Sequence, residues 1–571
     1  MKRTISILLI VALFAVLLAA CDGEPAATSN DPTATPPVTS TAPTAPPPTL
    51  LDELGLDTDL KFTETRSITV EVFDRGQDAG KTKPEDSYYS KWIQEQVLAT
   101  HHIDVTFTPI DRWGEADLIG PLLAGGDAPD VCVTYNKGAI DQYAAQGGVV
   151  ELAQYLDTDD YKGLLPNLFS LLTEDNIFWD QNTDGSLYSL EGRLMNPQRI
   201  NTFVREDWLT ALNLTAPTNI DEFEAMLVAF KEGAATLLGS DAARMVPFST
   251  SYDVGWRIDH LAASFVPSSA VTNDKEFYTT GFDDRHLQRA NYKEAVRKLN
   301  DWYNKGLVWK DFALYPAGDT TEDDMIKSGY VGSFIHNWDY PYRSGLDGIQ
   351  GALQTVKPDA AFIAVESFKD DAGNYTKFLS GPVDRKIFFP SSNEEVTASF
   401  LYLDWMATFE NYNFLQIGNE GVVHEKQADG SVKVIAATNE EIQNSQYNID
   451  YTITMNGLSL ATPEATAGSI AFGYGGIDSR LISIAFAASI NDGHLGRNPR
   501  FGALEAESGM DTVLKEKRDA LLDQSVVASV ADFDSVWDAG WADYLASGGQ
   551  AIIDSRIAKW EELYGSATQL P

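Results

Sequence analysis

The sequence predicts an α/β protein of two lobes, the first built on a parallel sheet with crossover helices. Three observations carry this. At 571 residues the chain is too long for one ordinary core. Residues 67 to 135 read strand, helix, strand, helix, strand, the grammar of a parallel sheet. From Asp180 to Leu209 an oxygen-rich loop gives way to two short strands, Leu187 to Leu190 and Ile200 to Val204, and there the chain is expected to cross between lobes.

Composition narrows the function classes. The 44% apolar and 11% aromatic content suits a globular chain. A formal net charge of −41 argues against a nucleic-acid binder, which needs a basic face, and against docking on anionic lipid. It suits solubility outside the cell, with a cationic ligand as the alternative. Two cysteines are too few for a disulfide framework. Cys132 lies in the apolar stretch Asp130 to Tyr135 and is read as a small buried hydrophobe; a Cys21–Cys132 bridge is the less favoured alternative.

Lys2 and Arg3 precede an apolar or small-residue run from Ile5 to Ala20, broken only by Ser6. The run is shorter than the roughly 20 residues of a comfortable bilayer span. Leu18-Ala19-Ala20-Cys21 resembles the bacterial lipobox, in which the peptide is cut before the cysteine and the thiol is lipidated. The attached acyl chains would supply the membrane affinity that the acidic body lacks. Asp22 to Leu50 holds eight of the chain's 25 prolines among Thr, Ala and Ser. It is read as an extended tether, reaching up to roughly 90 Å from the membrane.

Ser67 to Phe73 alternates and is β-branched, which predicts the first strand. Gly80-Lys81-Thr82 invites a phosphate-loop reading, but only three residues separate Gly76 from Gly80 where the pattern needs four, so the reading is rejected. Tyr88 to Thr100 reads as a helix, Ile103 to Ile110 as a strand, and Asp117 to Ala124 as a helix stopped by Gly125-Gly126. Ligands of such sheets sit beyond the carboxyl ends of the strands. That singles out Phe73-Asp74-Arg75 and Tyr135-Asn136-Lys137 as rim residues, with ordinary loops as the alternative.

Leu122 to Val131, LLAGGDAPDV, resembles a signature of extracellular solute-binding proteins of the oligosaccharide type. Further stretches match in the same order: Asp184-Gly185-Ser186-Leu187-Tyr188, Val204 to Leu209, Pro217 to Phe223, Tyr292 to Ala295 with Trp302 to Leu307, and Ile417 to Gly421. Each is weak alone; their order over most of the chain makes the set specific. The resemblance implies a periplasmic-binding-protein-like fold of type II: two lobes, each a mostly parallel sheet flanked by helices, joined by a hinge. It implies a monomer, lipid-anchored on the outer face of the cytoplasmic membrane, that hands an oligosaccharide to the permease of an ABC importer. The expected division is 1–21 leader, 22–60 tether, 61–195 with 361–415 first lobe, and 196–360 with 416–571 second lobe. Within this frame Asn219 is an N-cap with Glu222 at the third helical position, and Phe223, Met226, Leu227 and Phe230 form a core stripe. Arg205 and Asp207 are read as a structural pair. Ala361 to Val365 is expected to return to the first lobe.

Asp180, Asn182, Asp184, Gly185 and Glu191 fit the pattern D-x-[DN]-x-[DN]-G-x5-E. Calcium takes six to eight oxygens, and this loop offers side chains at Asp180, Asn182 and Asp184, the Ser186 carbonyl and a bidentate Glu191. The alternative is a plain hairpin, since Asp-Gly is itself a turn signal. No clear helix follows, so a full EF-hand is not expected; some acidic-oligosaccharide binders of the resembled family carry such a loop at about this place.

Sugars present apolar C–H faces and hydroxyls, so their sites combine flat aromatic rings with polar and charged partners. Ser251 to Arg257 offers Tyr252, Trp256 and Arg257; Gly332 to Tyr342 offers Trp338 and Asp339. In the resembled family the corresponding loops carry stacking aromatics, which makes Trp256 and Trp338 the leading ligand candidates, with a place in the core as the alternative for each. Arg257 or Arg75 could receive an acidic group, although the net charge disfavours a polyanion. The seven histidines form neither an HExxH pair nor a zinc pattern, and no G-x-S-x-G occurs. A binder is expected, closing on its ligand by hinge motion. A surface-anchored glycosidase and a peptide-binding importer component are the alternatives.

Overall fold

The computed structural model describes residues 49–76, 83–195, 200–251, 253–268, 272–282, 292–316, 318–375, 377–379, 383–435, 450–490, 493–495 and 499–570. The leader, Cys21, the tether to residue 48, Gly80-Lys81-Thr82 and Tyr252 lie outside the described residues.

β1 (Arg66–Asp74) and β2 (Ile103–Asp111) pair in parallel along their whole length, Arg66 opposite Ile103 and Asp74 opposite Asp111. The helix Tyr88–His101 connects them. Ser87 caps it, its hydroxyl accepting from the Ser90 N–H while the Ser90 hydroxyl accepts from the Ser87 N–H. Tyr89, Ile93 and Val97, one helical turn apart, are buried against the sheet. The helix Glu115–Gly125 follows β2 and ends at Gly126, whose φ of +75° suits a residue without Cβ. β3 (Cys132–Thr134) then runs beside β1, tied by a parallel bridge from Val70 to Val131. Cys132 is a free, buried thiol.

β4 (Leu190–Leu194) starts at the end of the stretch expected to be extended, because Leu187 is held otherwise: its carbonyl accepts from Leu152 and its N–H donates to Glu151. β5 (Ile200–Arg205) is buried throughout. β6 (Val246–Ser249), β7 (Val331–Asn337) and β8 (Phe362–Val365) join it in the order β6-β7-β5-β8. β8 pairs with β5 and so sits with the second core, not the first. β9 (Lys377–Leu379) precedes β10 (Val383–Phe388), which pairs antiparallel with both β3 and β4. β11 (His424–Lys426) and β12 (Val432–Val434) form a hairpin; β13 (Met455–Asn456) extends the first sheet beside β4; β14 (Gly493–Leu495) pairs with β9.

Among the described residues two large hydrophobic cores result, beside two small clusters. One gathers Ile68, Val70, Tyr89, Ile387, Leu403 and Met455; the other gathers Phe203, Phe223, Phe334, Phe362, Leu481 and Trp537. The chain passes between them after β4, before β10 and after β13. The sheets are mixed for that reason: β5 and β10 each arrive from the opposite core and run antiparallel to their neighbours. Asn219 caps the helix Ile220–Glu232 as expected, accepting from Glu222 at 2.9 Å. In the helix Tyr292–Asn304 Trp302 is fully buried and Tyr303 only partly. The region beyond 500 adds the helices Asp511–Val527, Phe533–Tyr544 and Gln550–Tyr564, which contribute to the second core. The Asn300 amide joins the first of these to the body, donating to the carbonyls of Ser525, Val526 and Ala528 at 2.7–3.1 Å. No described helix is long and apolar enough to cross a membrane.

Candidate ligand-binding site and metal loop

β1, β2 and β3 are parallel and end at Asp74, Asp111 and Thr134, so the residues beyond them share one edge. Phe73 and Tyr135 stack there with centroids 6.0 Å apart. The guanidinium carbon of Arg112 lies 4.3 Å from the Tyr135 ring centre, 5.1 Å from Phe73 and 5.5 Å from Trp113. Trp113 is 75% exposed, and its backbone N–H donates to the Asp111 carboxylate. Asp74 stands at the same edge, accepting from the Gly76 N–H at 2.8 Å. Arg75 is already committed, donating to both oxygens of Asp450 at 2.7 and 2.8 Å. Burial opposes its charge, but the Asp450 carboxylate more than offsets this and holds the pKa above its usual value. The structure thus gathers three expected residues, Phe73, Asp74 and Tyr135, and adds Arg112 and Trp113, which the sequence reading missed. The signal was available: they follow β2 as Arg75-Gly76 follow β1.

A second aromatic group forms beyond β7. His336 stacks on Tyr340 at 3.4 Å and meets Trp256 edge-on at 4.9 Å. The Tyr340 hydroxyl donates to Asp323 at 2.9 Å, Arg343 pairs with Asp339 at 2.8 Å, and the Tyr474 hydroxyl donates to the other Asp339 oxygen. Burial and the Asp339 charge push the Tyr474 phenol well above its usual pKa. Trp338, 8% exposed, packs against Tyr474 and Phe486 and belongs to the core. Arg257 is a core residue too: at 1% exposure it donates to both oxygens of Glu322 at 2.7 Å and to the Ile335 carbonyl. Trp256 is half-buried, its helix capped by Asp253. The backbone under this group is close-packed. Gly345 has φ +54°, a Cβ there would meet the Gly475 carbonyl, and one on Gly348 would meet the Arg343 carbonyl.

The oxygen-rich loop is held from both sides. Thr183 donates its N–H to the Arg500 carbonyl at 3.1 Å, and the Arg500 guanidinium lies 4.5 Å from the Trp179 ring and 3.7 Å from Asp180. Glu191 is fully buried, pairs with Lys386 at 3.0 Å and shares a hydrogen bond with Asp180. Burial and the Asp180 charge push Glu191 well above the usual carboxylate range, whereas Lys386 helps hold Asp180 down against its own burial. The Asn182 Oδ1 is buried without a hydrogen bond. Asp184 turns to Ser186, accepting from its N–H and hydroxyl, and the Ser186 carbonyl accepts from Asn182. Gly185 supplies the turn at φ +90°. Among the described residues no cluster of three or more His, Cys, Asp or Glu side chains is drawn together for a metal.

No family model matches the chain. It is 22% identical over 382 residues to the polygalacturonan/rhamnogalacturonan-binding protein YtcQ of Bacillus subtilis, covering 62% of this chain and 70% of that one. It is 26% identical over 236 residues to Lipoprotein LipO of Bacillus subtilis, 41% of this chain and 43% of that relative's length. Among solved structures, alginate-binding protein AlgQ2 without calcium ion superposes with a TM-score of 0.59 at 16% identity, over 88% of this chain and 100% of that one. The S. pneumoniae ABC-transporter substrate-binding protein FusA in complex with kestose gives 0.58 at 15%, over 88% and 100%. An extracellular solute-binding protein of Bifidobacterium longum subsp. infantis gives 0.57 at 17%, over 88% and 99%. The chain has the α/β fold of extracellular solute-binding proteins.

Proposed function

We propose that this chain, which has the fold of a solute-binding protein over 88% of its length, is the substrate-capturing component of an ABC importer for an oligosaccharide. The observation that carries the reading is the rim of Phe73, Arg112, Trp113 and Tyr135 beyond three parallel strands, where such sheets bind ligands. Its exposed indole offers a flat apolar face for a sugar ring, and Asp74 offers hydroxyl partners. The second aromatic group, with Trp256 and Tyr340, completes the grip from the other core. Ligand contacts to both cores favour a closed form over an open one, and the permease reads the closed surface. The protein binds without turnover, as a monomer, and the relatives named for their ligands are named as binding proteins. Cys21 is lipidated and the proline-rich tether carries the body clear of the membrane.

Calcium belongs to the same reading. The buried, unpaired Asn182 Oδ1 and the apposed carboxyls of Asp180 and Glu191 fit a hard cation, which would relieve both. Asp184 and the Ser186 carbonyl, now bonded within the loop, would complete the set. The ion would brace the loop against Arg500 and take no part in ligand chemistry.

Thermal melting against neutral oligosaccharides, acidic oligosaccharides and short peptides, each with and without calcium, tests both statements. A ligand at about 100 times its Kd adds about 2.7 kcal/mol, a visible shift. A shift with one sugar class and no hydrolysis supports the reading. Shifts with peptides alone, or consumption of the sugar, overturn it. An unchanged melting temperature after thorough calcium removal overturns the metal assignment.

A further inference from the structure

The rim beyond β1–β3 contains an arginine that no described carboxylate pairs with. Among the described residues the Arg112 guanidinium makes no hydrogen bond or ion pair, and its Nε is buried without a partner. Carboxylates were abundant: the chain has 83 Asp and Glu against 42 Lys and Arg. Arg75, Arg257 and Arg343 each hold one at 2.7–2.8 Å. Two carboxyls whose charge acts on Arg112 through space are hydrogen-bonded elsewhere. Glu115 is buried and accepts from Thr134; Glu71 is buried and accepts from the Val133 N–H at 2.9 Å. Burial raises the pKa of both.

What surrounds Arg112 is aromatic. Tyr135, Phe73 and Trp113 approach its charge at 4.3–5.5 Å, orienting the planar fork and thinning the water around it. A guanidinium so held is built to take a carboxylate with two parallel hydrogen bonds. Trp113, 75% exposed beside it, is placed to stack on the ring that carries that carboxylate. We propose that Arg112 binds the carboxylate of a uronate residue in the captured oligosaccharide. The inference rests on the oligosaccharide reading and sharpens it to acidic sugars. It replaces Arg75 and Arg257, whose guanidinium groups are saturated by Asp450 and Glu322. The net charge of −41 repels long polyanions, so one local contact to a short acidic oligosaccharide fits both facts.

Calorimetric titration of the full chain with trigalacturonate and with its carboxyl-reduced, neutral counterpart tests this. The wild type is expected to prefer the acidic sugar by at least about tenfold. Arg112→Gln should abolish that preference by weakening the acidic sugar at least about tenfold more than the neutral one. Arg112→Lys, which keeps the charge but loses the fork, should fall between and carries the test if the glutamine variant does not fold. Equal binding of both sugars by the wild type, or an undiminished preference in the variants, overturns the assignment. Binding of other neutral oligosaccharides, but of neither of these two, overturns it and leaves the oligosaccharide reading standing. Failure of every sugar to bind overturns both.

Discussion

The two aromatic groups use the same residue types to different ends. In the group beyond β7, Arg343 sits on Asp339, Tyr340 on Asp323, and Arg257 on Glu322 beneath them. In the rim beyond β1–β3, Arg112 faces rings and, among the described residues, has no carboxylate at hydrogen-bond distance. A buried cation with its partner in place specifies structure. A cation held by rings alone keeps its hydrogen-bonding capacity for something that arrives later. Counting aromatics and charges in the sequence cannot separate the two cases, because the difference lies in who pairs with whom.

Removing a partner should expose the contrast most sharply. Glu322→Ala leaves Arg257 charged and buried, and should cost about 3–5 kcal/mol in denaturant unfolding; a loss below about 1 kcal/mol would mean that Arg257 reaches water. Trp113→Ala should weaken oligosaccharide binding about tenfold with the melting temperature unchanged, since an indole this exposed contributes little to stability. A destabilised Trp113→Ala protein would make the first rim structural like the second. Behind the second group, burial and then the charges of Asp519 and Asp253 raise Asp523 to about 7. Its folded pKa exceeds the unfolded one, so its penalty grows as pH rises from about 4 to 7. Asp523→Asn should therefore stabilise by about 1–2 kcal/mol at pH 8 and leave stability unchanged at pH 4. The smallest effect belongs to His336, which burial, with Arg257 and Arg343 nearby, holds well below its usual 6.5. The unfolded chain takes the proton first, so the melting temperature should fall as pH drops below about 6.5, and His336→Phe should flatten that slope.

Much of the architecture was legible because local signals agreed with one another. Alternation marked β1, periodicity and the Ser87 cap marked the first crossover helix, and Asn219 marked the start of another. The fold expected from the motif order agrees with the superpositions. What sequence could not give was partnership across the chain. Arg75 meets Asp450 from 375 residues away and Arg257 meets Glu322 from 65, so no local pattern revealed that they were occupied. β8 was expected in the first lobe, but only its pairing with β5 shows which core it serves. Trp113 was passed over because it belongs to no motif, although its place directly after β2 pointed to the rim; its exposure then marks it.

The close packing under Arg343 also constrains how this protein's descendants could change. Any side chain at Gly345 or Gly348 drives into the carbonyl of Gly475 or Arg343. Single substitutions there displace the backbone that carries Asp339 and Tyr340, so the accessible variants are nonfunctional ones. No such barrier stands at Trp113, whose side chain projects from a turn into open solvent. A lineage adapting to a new sugar would therefore accumulate its changes on one rim, while the other stays nearly fixed as the inherited half of the grip.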